Sequence, residues 1–283
     1  MPELPEVEHV VQTLRQIAAG RTIVHATVSS SRLISGMSAR HFCAALRQRD
    51  VLDARRRGKF ILIDLAGERT LLVHLRMTGG FVYAVDGCDL PPYTRAVFHL
   101  SDGRTLGYED TRNLGVMKLV PTHRTDQLKE LRSLGLEPLG SQFNLETFQG
   151  LLKNSRRSIK EFLLDQKRLV GLGNIYAAEA LFRARINPRW SGAKVAASKK
   201  RTLDLYESII GTLSEAIRCQ SGGPPLHMDF IGLEYPNGSQ TRSDIGFQVY
   251  DREGEPCFRC NSVIKRMRQG GRSTYYCPRC QKQ

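Results

Sequence analysis

Apolar residues near the start of the chain recur at helical spacing. Val7, Val10, Val11, Leu14 and Ile17 fall on one face of a helix predicted from Pro5 to Ala19, with Pro5 suited to its first turn and Gly20 to its stop. The period then changes. TIVHATV, FILIDL, LLVHLRM, FVYAV, AVFHL and GVMKLV are short, rich in Val, Ile, Leu and Phe, and separated by GK, AGE, TGG and SDG turns. They predict an antiparallel β-sandwich running to about residue 122. From about Arg124 the pattern is helical again, through NLETFQGLLKN, SIKEFLLDQ, NIYAAEALFRA and TLDLYESIIGTLSEAIRC, with Asn144, Ser158 and Asn174 where N-caps are expected. The stretch from Gly222 to Thr241, rich in Gly, Pro, Ser and Asn, has no clear period and is expected to be a mobile loop. The predicted organisation is therefore α+β and multidomain. A β-sandwich domain with an N-terminal helix spans 1–122, a linker 123–140, a helical domain 141–240 including loop 222–241, and a small terminal module 247–283.

That terminal module is defined by cysteines. Of seven in the chain, Cys43, Cys88 and Cys219 are scattered, while Cys257, Cys260, Cys277 and Cys280 form a C-x2-C, sixteen residues, C-x2-C pattern. The spacing suits a four-cysteine zinc ribbon in a reducing compartment. With all four positions supplied by protein, the zinc ion is structural, and it supplies folding free energy that so short a segment cannot draw from a core. Unliganded or disulfide-bonded cysteines are the lesser alternative. Between the knuckles, Lys265, Arg266, Arg268 and Arg272 surround a QGG turn, so a hairpin would carry cations to its tip.

Charge strengthens this reading. The chain holds 42 Lys and Arg against 28 Asp and Glu, a formal net charge of +14 over 283 residues. Such a balance favours a polyanion, with nucleic acid ahead of a membrane surface. No signal-peptide pattern and no apolar run of about 18 residues is evident, so a cytosolic location is expected.

No Ser/His/Asp or Cys/His arrangement stands out, which leaves MPELPEVE as the candidate for chemistry. Removal of Met1 would leave Pro2 as a secondary amine. An α-amino group titrates near pH 8, against roughly 10.4 for lysine, so part of it is nucleophilic at neutral pH. It can attack the anomeric carbon of a sugar to form an iminium, with Glu3 moving protons and Glu6 bracing the helix start or orienting Glu3. On residue preference alone, Pro and Glu are also simply what a helix N-terminus favours.

PELPEVE, RRGKF around Lys59, HLRMTG around Met77, LVGLGNIYAAEALF around Asn174, and GEPC-x2-C through RSTYYC-x2-C stand in one order along the chain. Together they resemble the formamidopyrimidine-DNA glycosylase and endonuclease VIII family of bifunctional base-excision enzymes. The resemblance implies Pro2 as Schiff-base nucleophile, Glu3 as general acid/base, and Lys59 as a lysine that contacts phosphate and assists catalysis. It implies Met77, Arg112 and Leu114 as the group that fills the gap left by an everted base, and Lys160, Asn174 and Arg272 as phosphate binders, Asn174 within a helix-two-turn-helix. It further implies double-stranded DNA with damaged bases or abasic sites as partner, one structural zinc ion, no organic cofactor, and a monomeric bacterial protein in the nucleoid-associated cytoplasm. Oxidised or ring-opened purines are the expected lesions, ring-opened ones ahead of 8-oxoguanine, excised with β,δ-elimination at the abasic site. Oxidised pyrimidines, or non-catalytic binding of damaged DNA, are the alternatives. Leu114 replaces the usual wedge phenylalanine of the purine branch, and the 222–250 segment departs from the pattern that caps 8-oxoguanine.

Overall fold

The computed structural model describes residues 1–84, 89–220, the backbone of 228–231, and 246–282. Two compact units are present: Met1–Arg132 with Gln220–Tyr235, and Ser133–Cys219 with Pro236–Gln283.

The first unit opens with helix α1 (Leu4–Ile17). All five apolar residues that predict it are at most 7% exposed, each such burial being worth about 1.5–3 kcal/mol. Pro5 sits in the first turn, where its missing N–H costs nothing. Gly20, at φ +76°, takes the chain into β1 (Thr22–Val28) through a conformation that other residues resist. Next come α2 (Ala39–Leu46), β2 (Arg49–Arg57), β3 (Phe60–Leu65), β4 (Arg69–His74), β5 (Gly79–Ala84), β6 (Thr94–Leu100), β7 (Thr105–Asp110) and β8 (Val116–Pro121). The linker expected over 123–140 begins with a 3-10 turn at Thr122–Gln127 and helix α3 (Lys129–Arg132), both within this first unit.

Strand order among the described residues is β8-β4-β3-β2-β1-β6-β7-β5, with β9 (Met228–Ile231) added beyond β5. Every named pairing is antiparallel. The β8–β2 half and the β1–β9 half share one core: Ile61, Ile63 and Val73 from the former meet Phe81, Phe98 and Tyr108 from the latter, together with α1. Apart from β9, the 222–241 stretch expected to be a mobile loop lies outside the described residues.

The second unit holds α4 (Leu145–Lys153), α5 (Ile159–Leu164), α6 (Asn174–Arg183), α7 (Gly192–Ala196), α8 (Lys199–Gln220, whose last residue belongs to the first unit), and the hairpin β10 (Lys265–Gln269) and β11 (Arg272–Tyr276). Asn144 caps α4 by accepting from Thr147 N–H at 2.9 Å, and Ser158 caps α5 by accepting from Glu161 N–H at 3.3 Å. Asn174 corrects the expectation: Gly173 occupies the N-cap and Asn174 is the first helical residue. Its side chain is committed elsewhere, to Lys160. In the β10–β11 hairpin Gln269 pairs with Arg272 across Gly270 and Gly271, at φ +52° and +77°, a two-residue turn that requires positive φ at both positions.

The four-cysteine module is fastened to α6. Phe182 and Ala178 pack with Val249, Ile264 and Tyr275. Arg259 Nη1 donates to Phe182 O at 3.1 Å and Gln281 Nε2 to Ile186 O at 2.9 Å. The buried Glu179 carboxylate accepts from the N–H groups of Gln248, Val249 and Tyr250 at 2.8–3.0 Å. Burial pushes Glu179 up, and those three bonds oppose the shift.

Candidate active site and nucleic-acid interface

At the head of α1 the backbone is extended at Glu3, which serves as N-cap (φ −105°, ψ −170°). Glu6, one turn on, accepts from Glu3 N–H at 2.7 Å through Oε2, and its Oε1 accepts from Gln220 of the same unit at 3.0 Å. Glu6 therefore ties the N-cap residue to the first turn of the helix. Pro2 is buried, Glu3 is 2% exposed and Glu6 5%. Carboxylates are almost never this buried without partners, so the terminus is a constructed feature of the fold.

Lys59 follows Gly58 (φ +59°) at the tight turn between β2 and β3 and is only 8% exposed. It belongs electrostatically to the same cluster. Burial pulls the amine of Met1 below its ordinary 8.0; Glu3 and Glu6 pull it upward, and Lys59 adds to the lowering. A lowered amine is unprotonated for more of the time near neutral pH, as a nitrogen nucleophile requires. Across the ladder from Phe60, His74 is pushed down to about 4 by burial, with Arg76 and then Lys59 adding to the effect. Its Nδ1 accepts from Arg76 N–H at 3.0 Å. The ring is therefore neutral at pH 7, with its proton on Nε2.

A second set of expected residues sits on two neighbouring loops of the same unit. Met77 and Leu114 are 44% and 45% exposed, and Arg112 is also exposed. Arg112 Nη1 lies 3.1 Å from Met77 Sδ. The residue that organises this arrangement, Asp110, is absent from the sequence expectation. Only 1% exposed, it accepts from the N–H groups of Leu114 and Gly115 at 2.7 Å and of Arg112 at 3.2 Å, and from the Thr78 hydroxyl. Asn113, at φ +50°, takes the left-handed turn between them and donates to Ser30 Oγ at 2.9 Å. Gly79 and Gly115 flank Tyr108, whose hydroxyl lies where a Cβ of either would fall. The available signal was EDTRNLG itself, an Asp two to five residues ahead of several backbone donors.

In the second unit the structure brings Lys160, Asn174 and β11 together. Lys160 Nζ donates to Asn174 Oδ1 at 2.7 Å, Ser273 O at 2.7 Å and Thr274 Oγ1 at 2.8 Å, and the side chain is fully buried. Asn174 is half-buried at the head of α6, and Arg272 is exposed at the hairpin turn. The three donors of Lys160, expected as a phosphate binder, are engaged within this unit. A separate cavity of about 540 Å³ in this unit, lined by Tyr176, Glu179, Arg183, Glu215, Phe247 and Arg259 among others, contains none of the expected site residues.

The four sulfurs of Cys257, Cys260, Cys277 and Cys280 lie within 4.8 Å of one another. Cys257–Cys280 is 3.9 Å and Cys260–Cys277 3.4 Å, bracketing the ~3.8 Å edge of a tetrahedron with metal–sulfur bonds of about 2.3 Å. Arg259 N–H and Cys280 N–H point at the first sulfur of their respective knuckles, each at 3.4 Å. The donor set thus fits a tetrahedral, thiophilic dication. Among the described residues, no helix is long and apolar enough to cross a membrane.

Similarity to known proteins extends along the chain. Three family profiles match: formamidopyrimidine-DNA glycosylase N-terminal domain over residues 1–117, formamidopyrimidine-DNA glycosylase H2TH domain over 134–225, and a zinc finger found in FPG and IleRS over 254–283. A formamidopyrimidine-DNA glycosylase of Pelotomaculum thermopropionicum is 42% identical over 283 residues, covering 100% of this chain and 99% of that protein. Lactococcus lactis Fpg in complex with DNA containing an abasic site superposes with a TM-score of 0.87 at 28% identity, over 99% of this chain and 100% of that one. The same enzyme bound to DNA containing N7-benzyl-Fapy-dG gives 0.87 at 29% identity, over 100% of both chains.

Proposed function

Since the chain belongs to the formamidopyrimidine-DNA glycosylase family, we propose that it excises ring-opened and oxidised purines from duplex DNA and then cleaves the strand as an abasic-site lyase, using Pro2 as its nucleophile. The observation that carries this reading is the gathering of buried Glu3, Glu6 and Lys59 at the head of α1, where all three act on the chain's terminus, here the amine of Met1. Met1 must first be removed, because within the chain the Pro2 nitrogen is an amide.

The freed secondary amine attacks C1′ of the damaged nucleotide. The glycosidic bond breaks and the base leaves with a proton, while Glu3 protonates O4′ so that the ring opens to an iminium. Loss of a C2′ proton then expels the 3′-phosphate, a second elimination expels the 5′-phosphate, and hydrolysis returns the amine. Lys59, beside the amine, supplies positive charge for the phosphate of that nucleotide. The base must leave the stack first, at a cost of a few kcal/mol. Met77, Arg112 and Leu114, presented by the Asp110-braced loops, fill the gap, with Arg112 offering donors to the orphaned base. Lacking an aromatic wedge, Leu114 stacks less strongly on the opposite base.

Asn174 and Arg272 hold the DNA backbone, and the four cysteines hold a structural zinc ion, which contributes folding free energy to the hairpin and no chemistry. The protein acts as a monomer in a bacterial cytoplasm, on the nucleoid.

Excision should be compared on duplexes containing a ring-opened guanine, 8-oxoguanine, thymine glycol or an abasic site. Faster cleavage at ring-opened guanine than at thymine glycol supports the purine assignment. The reverse order identifies an oxidised-pyrimidine enzyme, and binding without cleavage of any of the four rejects an enzymatic role. Metal analysis giving one zinc per chain supports the ion assignment.

A further inference from the structure

Lys160 is the most completely enclosed cation among the described residues, and DNA cannot reach it. Its side chain has 0% exposure. A lysine ammonium has three N–H donors, and here three acceptors lie at 2.7, 2.7 and 2.8 Å, from two segments of the second unit: α5 provides the lysine, while α6 and two successive positions of β11 provide the acceptors. We propose that Lys160 is a positioning residue that sets the orientation of the Asn174 amide and the height of the Arg272 strand, and does not itself bind phosphate. This rests on the reading of Asn174 and Arg272 as backbone-holding groups.

Two pieces of chemistry support the assignment. First, an ammonium can only donate, so the Asn174 atom facing it must be Oδ1. The carboxamide is thereby locked with Nδ2 and its two donors directed away from Lys160, at the first turn of α6, where helix N–H groups also favour an anion. Second, Thr274 and Arg272 are two residues apart on β11, so their side chains leave the strand on the same face. Thr274 is fully buried against Lys160 and Arg272 is exposed. The ammonium therefore grips the strand on the face from which Arg272 projects, and one buried charge sets the spacing of both groups. Apolar replacement would leave the Thr274 hydroxyl and a backbone carbonyl in the interior with their shared donor gone, and would free Asn174 to turn over.

Salt dependence separates positioning from contact. A residue that neutralises one phosphate contributes about 0.9 to the slope of log affinity against log salt; one that acts through others leaves the slope unchanged. Binding of zinc-loaded full-length protein to an abasic-analogue duplex should be titrated at several salt concentrations for wild type, Lys160→Met, Asn174→Ala, Arg272→Ala and the two double variants that combine Lys160→Met with each of the others. Lys160→Met is expected to weaken binding about tenfold with the wild-type slope, and to lose most of that effect in the Asn174→Ala background. A Lys160→Met slope lower by about 0.9 that persists in an Arg272→Ala background, or fully additive effects with Asn174→Ala, overturns the proposal. Arg272→Ala serves as the control: if its slope is unchanged, the phosphate reading of the hairpin fails on its own account. Should Lys160→Met not retain zinc, Thr274→Val, which removes one of the three acceptors, carries the same test. Weaker binding at constant slope supports positioning, and unchanged binding overturns it.

Discussion

The two units of this protein put buried charge to different uses, although each holds a carboxylate saturated by backbone N–H groups, Asp110 in the first and Glu179 in the second. In the first, Glu3, Glu6 and Lys59 are gathered beside the terminus, where burial has reduced the basicity of the Met1 amine, a cluster of mixed sign at one end of a helix. In the second, each buried charge is saturated by partners: Lys160 by three acceptors, Glu179 by three backbone N–H groups. Saturated charges make framework, because every alternative arrangement leaves a buried polar group unpaired. Clustered titratable groups with a perturbed amine make chemistry, because protons can be redistributed among them at small cost. The first unit is therefore expected to carry the reaction and the second to carry affinity.

The sharpest way to break that division is at the terminus. Pro2→Gln, which retains Met1, is expected to abolish strand cleavage, while binding to an abasic-analogue duplex in a gel-shift titration stays close to wild type. Glu3→Gln is expected to lower the single-turnover excision rate by ~10²–10⁴-fold, again with little change in affinity. Next in size is metal removal. Stripping the four-cysteine site is expected to unfold the hairpin, because the ion supplies most of its folding free energy, and to reduce DNA affinity at least about tenfold through the loss of Arg272 and its neighbours. The far-ultraviolet signal of the sandwich should persist; unchanged affinity in metal-free protein would contradict the role given to the second unit.

Smaller effects sharpen the picture inside the first unit. Asp110→Ala removes the acceptor of three backbone N–H groups, and a loss of about 2–3 kcal/mol is expected in denaturant unfolding, along with weaker discrimination between opposite bases. His74 gives the smallest effect. Its folded-state value of about 4 lies below the unfolded 6.5, so between those pH values the unfolded chain binds a proton that the folded chain does not. Stability should fall as pH drops from about 6.5 towards 4, by about 1 kcal/mol for a partly solvated ring. His74→Gln should flatten that part of a pH–stability profile.

Most of the architecture was legible in the sequence where a single periodicity dominates. The α1 stripe and the apolar runs of β1, β3 and β6 are of this kind. The elements missed are those whose partners lie elsewhere. β2 reads as RDVLDARRR, with only Val51 and Ala54 buried and a register shift between Val51 and Asp53 that breaks its alternation. Its arginines pair with side chains on α1 and β3, Arg56 with Glu8 and Arg55 with Asp64. β7 was hidden by Gly107, where a Cβ would meet Leu90 at 3.1 Å, and α2 by having only Phe42 and Leu46 to bury.

The same distinction holds for the candidate site. Pro2, Glu3, Glu6 and the cysteine pairs are local patterns with a chemical meaning. Asp110 and the true setting of Lys160 depend on which backbone groups come to face them, in the case of Ser273 across 113 residues of chain, and no spacing rule encodes that. The helix-cap assignment at Asn174 failed for the same reason: an amide that could cap α6 is engaged by a lysine on the preceding helix instead.

The central claim is that the chemistry belongs to the terminal nitrogen. Incubating the protein with an abasic duplex in the presence of borohydride and mapping the adduct by mass spectrometry tests it most directly. The expected result is one reduced adduct on the nitrogen of Pro2, in chains lacking Met1. An adduct on Lys59 or another lysine with Pro2 unmodified, or no adduct from a chain that still binds the duplex, would contradict it.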